Sequence, residues 1–162
     1  MLTRPGQYEL KRLDPQKLEF QALVEESRLE GYWMLVRLAD GWRDGRNRFR
    51  RRGEMLLAAW QGDALAGVGG LNVDPYVEGR REGRVRHVYV SLAHRRHGVG
   101  RLIVRAVIEK ARLHFPVLNL RAPEAAFPFY EALGFKRVEG DEFHTHRMKF
   151  RAPRKQGRAG RS

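Results

Sequence analysis

In the stretch "HRRHGVGRLIV", residues 94–104, Arg95, Arg96 and His97 lead into Gly98 and Gly100, with Arg101 just beyond and an apolar run following. The start of a helix leaves backbone N–H groups unpaired and acts as about half a positive charge, so it seats an anion. Glycine at 98 and 100 lets that anion come close and lets the loop turn its amides inward, while the arginines add charge at the rim. Pyrophosphate is the ligand this chemistry suits best. Two familiar phosphate loops are excluded. No Gly-x-x-x-x-Gly-Lys-Ser/Thr is present, and a dinucleotide fingerprint lacks its third glycine and its downstream acid.

The elements that must hold this loop follow from periodicity and punctuation. "YELKRL" (8–13) reads as an edge strand. Asp14-Pro15 predicts a helix start, with Leu18, Ala22 and Leu23 at helical spacing and Gly31 at its close. Tyr32 to Ala39 reads as a second helix, and the arginine-dense Gly41–Gly53 as a solvated loop. Residues 54–61 and 64–73 flank Gly62-Asp63, a two-residue hairpin turn with positive φ at its first residue. Gly67, Gly69 and Gly70 point to a bulge, a close backbone approach, or small residues under a packed helix. A strand over 84–90 leads into the glycine loop, and Leu102, Ile103, Ala106, Val107 and Leu113 make 99–114 an amphipathic helix. A strand (116–122), a short helix (124–134, with Pro128 inside it) and a last strand (142–150) complete a mixed sheet flanked by helices, an α/β (α+β) fold.

Composition narrows the classes. A chain of 162 residues fits one domain, here 1–150. With no cysteine it has no disulfide scaffold, thiolate metal site or cysteine nucleophile. There is no secretory-type apolar stretch and no membrane-length run, so the expectation is a soluble cytoplasmic protein without a membrane partner. The 32 Lys and Arg against 19 Asp and Glu give +13, which biases any cleft toward anions. Five of those cations, and no acid, lie in the last twelve residues, read as a disordered basic tail over 151–162; residues 1–150 keep +8. A nucleic-acid-binding module would account for the charge, but no strand carries the aromatic-rich RNA pattern. His94, His97, His144 and His146 lack metal-ligand company, so no metal is expected. Oligomeric state is left open, a homodimer included.

"RRHGVG" (95–100) resembles the Arg/Gln-x-x-Gly-x-Gly/Ala signature of the GCN5-related N-acetyltransferases (GNAT), and "FYEALGF" (129–135) resembles their Tyr-x-x-x-Gly-Phe segment. The likeness covers roughly residues 8–150 in element order, with close motif identity from about 85 to 138. It implies an acetyl-coenzyme A (acetyl-CoA) dependent N-acetyltransferase moving acetyl directly to a primary amine of a small molecule or protein. A fold relative that binds acyl-CoA without transfer is the alternative. The resemblance implies pyrophosphate on the segment Arg95, Arg96, His97, Gly98, Val99, Gly100 and Arg101, and a pantetheine arm along the backbone of Val88 and Val90. Arg96 stands where glycine is frequent, and the asparagine often found between the later strand and helix is replaced near Pro123.

The same resemblance assigns Tyr130 as the general acid facing the sulfur and the Val90 N–H as oxyanion donor. A phenol at ~10 beside a thiol at ~8.5 makes proton transfer uphill by only about 2 kcal/mol. Arg84 occupies the strand position where relatives carry a glutamate base, which leaves Glu78, Glu82 and His87 as candidates, Glu82 first. Glu26, Tyr32, Trp33, Asp74 and Tyr76 fall on segments that commonly line the acceptor cleft. The basic balance argues against a polycationic acceptor and for an amine that also bears a carboxylate or phosphate.

Overall fold

The computed structural model describes residues 7–151; residues 152–162, and with them nearly all of the predicted basic tail, lie outside the described residues. Strands β1 (Glu9–Arg12), β2 (Met55–Gln61), β3 (Ala64–Val73), β4 (Gly83–Val90), β5 (Val117–Leu120), β6 (Lys136–Arg137) and β7 (His146–Lys149) form one sheet in the order β1-β2-β3-β4-β5-β7-β6. Every neighbouring pair is antiparallel except β4 and β5. Helices α1 (Leu18–Leu29) and α2 (Met34–Arg43) precede β2, α3 (Val99–His114) links β4 to β5, and α4 (Phe127–Ala132) follows β5. Among the described residues no helix is long and apolar enough to cross a membrane.

Each face of the sheet buries its own core. Phe20, Leu23, Leu35 and Leu38 of α1 and α2 pack with Leu56, Val68 and Tyr89, while Val104, Val107 and Ile108 of α3 pack with Leu71, Val85, Leu118 and Tyr130. The glycines of β3 let the helices come down onto the sheet. A Cβ at Gly69 would stand 2.5 Å from Ile103 Cγ2, and one at Gly67 would stand 3.1 Å from Val99 Cγ1, so α3 rests directly on backbone. On the other face a Cβ at Gly70 would meet Phe49 at 2.7 Å. Gly67 and Gly69 are thus small residues under a packed helix and Gly70 is one under Phe49, and the β3–β4 ladder is also bulged opposite Gly69.

Some element ends differ from expectation. Helix α1 begins at Leu18, not at Asp14-Pro15; the Asp14 carboxylate accepts the Gln16 N–H at 2.9 Å and closes a turn of its own ahead of the helix. Helix α2 runs on to Arg43, into the segment read as loop, because Leu35, Leu38 and Gly41 continue its buried face. Pro128 sits in the first turn of α4, where its missing N–H costs nothing. The predicted 142–150 strand shortens to His146–Lys149, and the two-residue β6 pairs with it. Gly62 takes φ +57° in the β2–β3 turn, as its hairpin requires.

Strands β4 and β5 pair only at Gly83↔Leu118 and Arg84↔Asn119. A buried polar cluster binds that end. Asn119 Nδ2 donates to Asp74 Oδ2 (3.0 Å) and Glu82 Oε1 (2.9 Å), and Arg147 Nε donates to Asn119 Oδ1 (3.0 Å). His144 stands between Asp74 (Nε2 to Oδ2, 2.7 Å) and Asp141 (Nδ1 to Oδ2, 2.9 Å) and is buried with them. Beyond Arg84 the strands part. Their separation coincides with a bulge in β4: Gly70 pairs with Arg86 and Val68 with Tyr89, so His87 and Val88 share the one position opposite Gly69, and His87 takes φ +58°.

Gly69→Ala is expected to lower unfolding free energy by about 1–3 kcal/mol through overpacking. Denaturant titration of Gly69→Ala, Ile103→Ala and the double variant checks it: the double should cost less than the sum of the singles.

Candidate active site

The parting of β4 from β5 opens a cavity of about 290 Å³, lined on one side by Arg86 to Val90 and on the other by Leu120 to Pro123. Tyr130 of α4 closes it from the third side. Ser91 N–H donates to Ala66 O at 2.8 Å, which fixes the alternation of bonds between β3 and β4. Val90, opposite Gly67, then turns its N–H and C=O away from β3, toward the side β5 has left. The carbonyl is taken by Arg95 Nε at 3.1 Å; the N–H faces the cleft. Val88 precedes Tyr89 in the same alternation, and its backbone faces the cleft too. These are strand groups whose ladder partner is missing, and an extended ligand can supply one.

At the end of β4 the chain makes a short 3-10 turn (Leu92–His94), then passes through left-handed conformations at Arg96 (φ +67°) and Gly98 (φ +78°) to enter α3. The first backbone bond of α3 runs from Leu102 N–H to Gly98 O at 3.0 Å, so the amides of Val99, Gly100 and Arg101 have no backbone acceptor. A Cβ on Gly98 would project into open space, whereas one on Gly100 would touch Phe129 (3.4 Å) and Val90 (3.5 Å). Val99 buries its side chain in the core and offers the loop only its amide. Arg96, His97 and Arg101 are exposed at the rim. The amides are bare, the space beside Gly98 is clear and the rim is cationic, so the segment fits a diphosphate.

Arg95 departs from its predicted role. Its guanidinium grips Glu30, which caps the end of α1, in a two-pronged contact (Nη1 to Oε2 3.0 Å, Nη2 to Oε1 2.6 Å) and stacks over Tyr89 with 5.5 Å to the ring centre. That side chain ties α1 to β4, and only its backbone remains in the anion loop. The Arg95 contact, with the Tyr89 hydroxyl also donating to Glu30, holds the Glu30 carboxyl below its ordinary pKa. Glu26 Oε2 lies 2.8 Å from the same hydroxyl, whose single hydrogen the two carboxylates share, so the predicted cleft residue Glu26 serves as an acceptor within the wall. Of the other predicted acceptor contacts, Tyr32 lines the cavity, Trp33 and Tyr76 are exposed, and Asp74 belongs to the buried cluster. Tyr76 stacks on Phe143 at 4.3 Å.

Tyr130 is buried, packed edge-on against Phe129 and Phe135, and burial pushes its hydroxyl up to about 12. No hydrogen bond engages that hydroxyl among the described residues, and since no fully buried polar atom there goes unpaired, its oxygen opens onto the cleft. Glu82 does not join this group. It lies eight residues before Val90, roughly 25 Å along the strand at about 3.3 Å per residue, inside the closed-end cluster. Glu78 is exposed in the β3–β4 connection. His87 does line the cavity, but burial and the nearby Arg86 and Arg37 push its pKa down to about 3. It is neutral at physiological pH and a feeble base. Among the described residues no three His, Asp or Glu side chains gather as a metal site.

Residues 42–152 match the family model for the acetyltransferase (GNAT) domain. The chain belongs to the GNAT acetyltransferase family. Among curated relatives, it is 33% identical over 89 residues to the uncharacterized N-acetyltransferase YsnE of Bacillus subtilis (strain 168), a match covering 51% of this chain and 56% of YsnE. It is 33% identical over 76 residues to N-acetyltransferase family 8 member 3 of Rattus norvegicus, covering 44% of this chain and 32% of that protein. The chain thus spans between about a third and about half the length of these relatives. Among solved structures, a protein from Exiguobacterium sp. 255-15 assigned as an acetyltransferase superposes with a TM-score of 0.77 at 28% identity, covering 88% of this chain and 93% of that one. A predicted acetyltransferase from Clostridium acetobutylicum, solved with acetyl-CoA, superposes with a TM-score of 0.60 at 14% identity, covering 83% of this chain and 94% of that one.

Sequence reasoning missed the bulge at His87, which no residue type announces, and the pairing of Arg95 with Glu30, which joins positions 65 residues apart. Arg95→Gln is expected to lower the melting temperature by a few degrees at pH 7. Glu30 has a depressed folded pKa, so its contribution is present above the unfolded value of ~4.3 and fades as pH falls through the folded value. Thermal melts from pH 7 to pH 3 should therefore show the variant and the parent converging on the acid side.

Proposed function

We propose that this GNAT domain transfers acetyl from acetyl-CoA directly to a primary amine, in the cytoplasm. The observation that carries this reading is that the unpaired Val90 N–H and the unpartnered Tyr130 hydroxyl share one cleft, with the bare amides at the start of α3 next to Val90, where a Cβ on Gly100 would stand 3.5 Å from its side chain. Acetyl-CoA supplies a thioester. The amides of residues 96–101 would hold its diphosphate, with Arg96 and Arg101 at the rim; the free backbone edge of Val88 would pair with the pantetheine amides, and the Val90 N–H would be left for the thioester carbonyl.

In the transfer the amine nitrogen attacks the carbonyl carbon, a C–N bond forms, the C–S bond breaks and the sulfur leaves with the electron pair. Val90 N–H donates to the carbonyl oxygen as it gains negative charge, from a position fixed in advance by the β3 ladder. Tyr130 donates its hydroxyl hydrogen bond to the departing sulfur. With the phenol at about 12 and a thiol near 8.5, complete proton transfer is uphill by about 5 kcal/mol. Tyr130 therefore stabilises the thiolate chiefly as a hydrogen-bond donor, and the proton released by the attacking amine restores the balance. No dedicated base is required. Arg37, Arg86 and Arg121 around the acceptor side disfavour an ammonium and favour the neutral amine.

Tyr130→Phe is expected to lower turnover by ~10² to 10⁴, the range of a positioned proton donor, while retaining the thermal stabilisation given by acetyl-CoA. Gly98→Val, a β-branched residue at φ +78° beside the bare amides, is expected to lose that stabilisation. Glu82→Gln should leave the pH–rate profile unmoved. Thiol release with an amine panel, together with melting curves in acetyl-CoA, CoA and dephospho-CoA, reads all three; an unchanged Tyr130→Phe rate removes the tyrosine from the mechanism.

A further inference from the structure

Arg86 sits half-buried on β4, just before the bulge, and lines the cleft together with His87, Val90 and Tyr130. Burial pushes its pKa down, against the opposing pull of Tyr76 and Asp74, and the nearby Arg37 guanidinium adds to the lowering. Its neighbour Arg84 is answered: it lies 3.8 Å from Asp74 and donates to Phe143 O at 2.8 Å. Arg86 makes no ion pair and no side-chain hydrogen bond among the described residues.

The carboxylates around it are all engaged elsewhere. Asp74 holds Asn119, His144 and Arg84. Glu54 accepts the N–H groups of Arg51 and Val73 and the amide of Asn72. Glu30 holds Arg95, and Glu26 accepts from Tyr89, Ser91 and the Leu92 N–H. Two more cations add to the same field. Arg121, exposed just after β5, lines the cleft opposite Arg86, and Arg37 of α2 is close enough to repel both Arg86 and His87. Neither has an ion-pair partner among the described residues. Arg86 also borders a second hollow, of about 740 Å³, walled by Arg46, Arg48, Arg50 and Arg51, so the positive field continues outward from the cleft.

A guanidinium offers a planar fork matched to carboxylate and phosphate oxygens, and it binds them best where water is partly excluded. A polycationic acceptor would meet three like charges there. We propose that the acceptor at this site is an amine that also carries a carboxylate or a phosphate, held by Arg86 with Arg37 and Arg121. This assignment rests on the acetyl-transfer reading above and narrows its substrate class.

Matched pairs of amines test it. Phenylalanine against phenylalaninamide isolates a carboxylate next to the amine; glucosamine 6-phosphate against glucosamine isolates a phosphate several bonds away; spermidine is the cationic control. At least one anionic member is expected to exceed its neutral partner in kcat/KM by tenfold or more, and the pair that shows it names the anion. Arg86→Gln is expected to raise KM for that substrate by tenfold or more and to bring the ratio within about twofold, with the acetyl-CoA melting shift retained. Arg86→Lys, which keeps charge without the fork, should fall between. Arg121→Gln, at an exposed position, should reduce the same ratio and serves if Arg86→Gln does not fold. Acetylation of neutral amines or spermidine as fast as the anionic ones, or a ratio unmoved by these variants, overturns the anionic acceptor alone. No melting shift with acetyl-CoA and no thiol release with any amine overturn the acetyl-transfer reading, and this assignment with it.

Discussion

The site exists because two neighbouring strands stop pairing. Parallel β4 and β5 share a register over Gly83–Arg84 and Leu118–Asn119 and then separate, leaving main-chain donors and acceptors of β4 without their usual partners. Such groups are costly to leave unsatisfied in a dry interior, so a split of this kind persists only where water or a ligand reaches it. The bulge at His87 adds a residue on one strand, and so Arg86 and His87 both turn to the α2 side while Val88 and Val90 keep to the α3 side. One local irregularity thus sorts the groups that would meet the acceptor from those that would meet the thioester.

The closed end of the split has opposite physics. There Asp74, Glu82, Arg84, Asn119 and His144 are all buried and mutually bonded, spanning β4, β5, the β3–β4 connection and the segment before β7. A satisfied polar network of this kind resists slippage, since moving any strand by one residue would strand several buried charges at once. Glu82 has a structural task in that network. Its placement there explains why a carboxylate near β4 in sequence is remote from the reacting atoms in space.

Legibility in the sequence followed the range of the interactions. The span of α3, the Gly62-Asp63 hairpin and the left-handed turn at Gly98 rest on contacts within a few residues, and spacing and residue type foretold them. The glycine and tyrosine motifs carried the family likeness for the same reason. Asp14 misled because an aspartate can close a turn of its own as readily as it caps a helix. Arg95 misled because its charge suits a phosphate, and only the fold brings Glu30 beside it. The isolation of Arg86 is a statement about every carboxylate near it, and no window of sequence contains that census.

Helix α3 lies on bare main chain at Gly67 and Gly69, with Ile103 lodged where any larger residue would collide. The distance between the helix mouth and the β4 edge is thereby set by backbone, independent of the side chains that α2 and the 43–53 segment place on the other face. On the proposed reading, those outer segments are free to change with new acceptors while the acyl-donor half stays as it is, and a single scaffold could be retuned without relearning how to hold the donor.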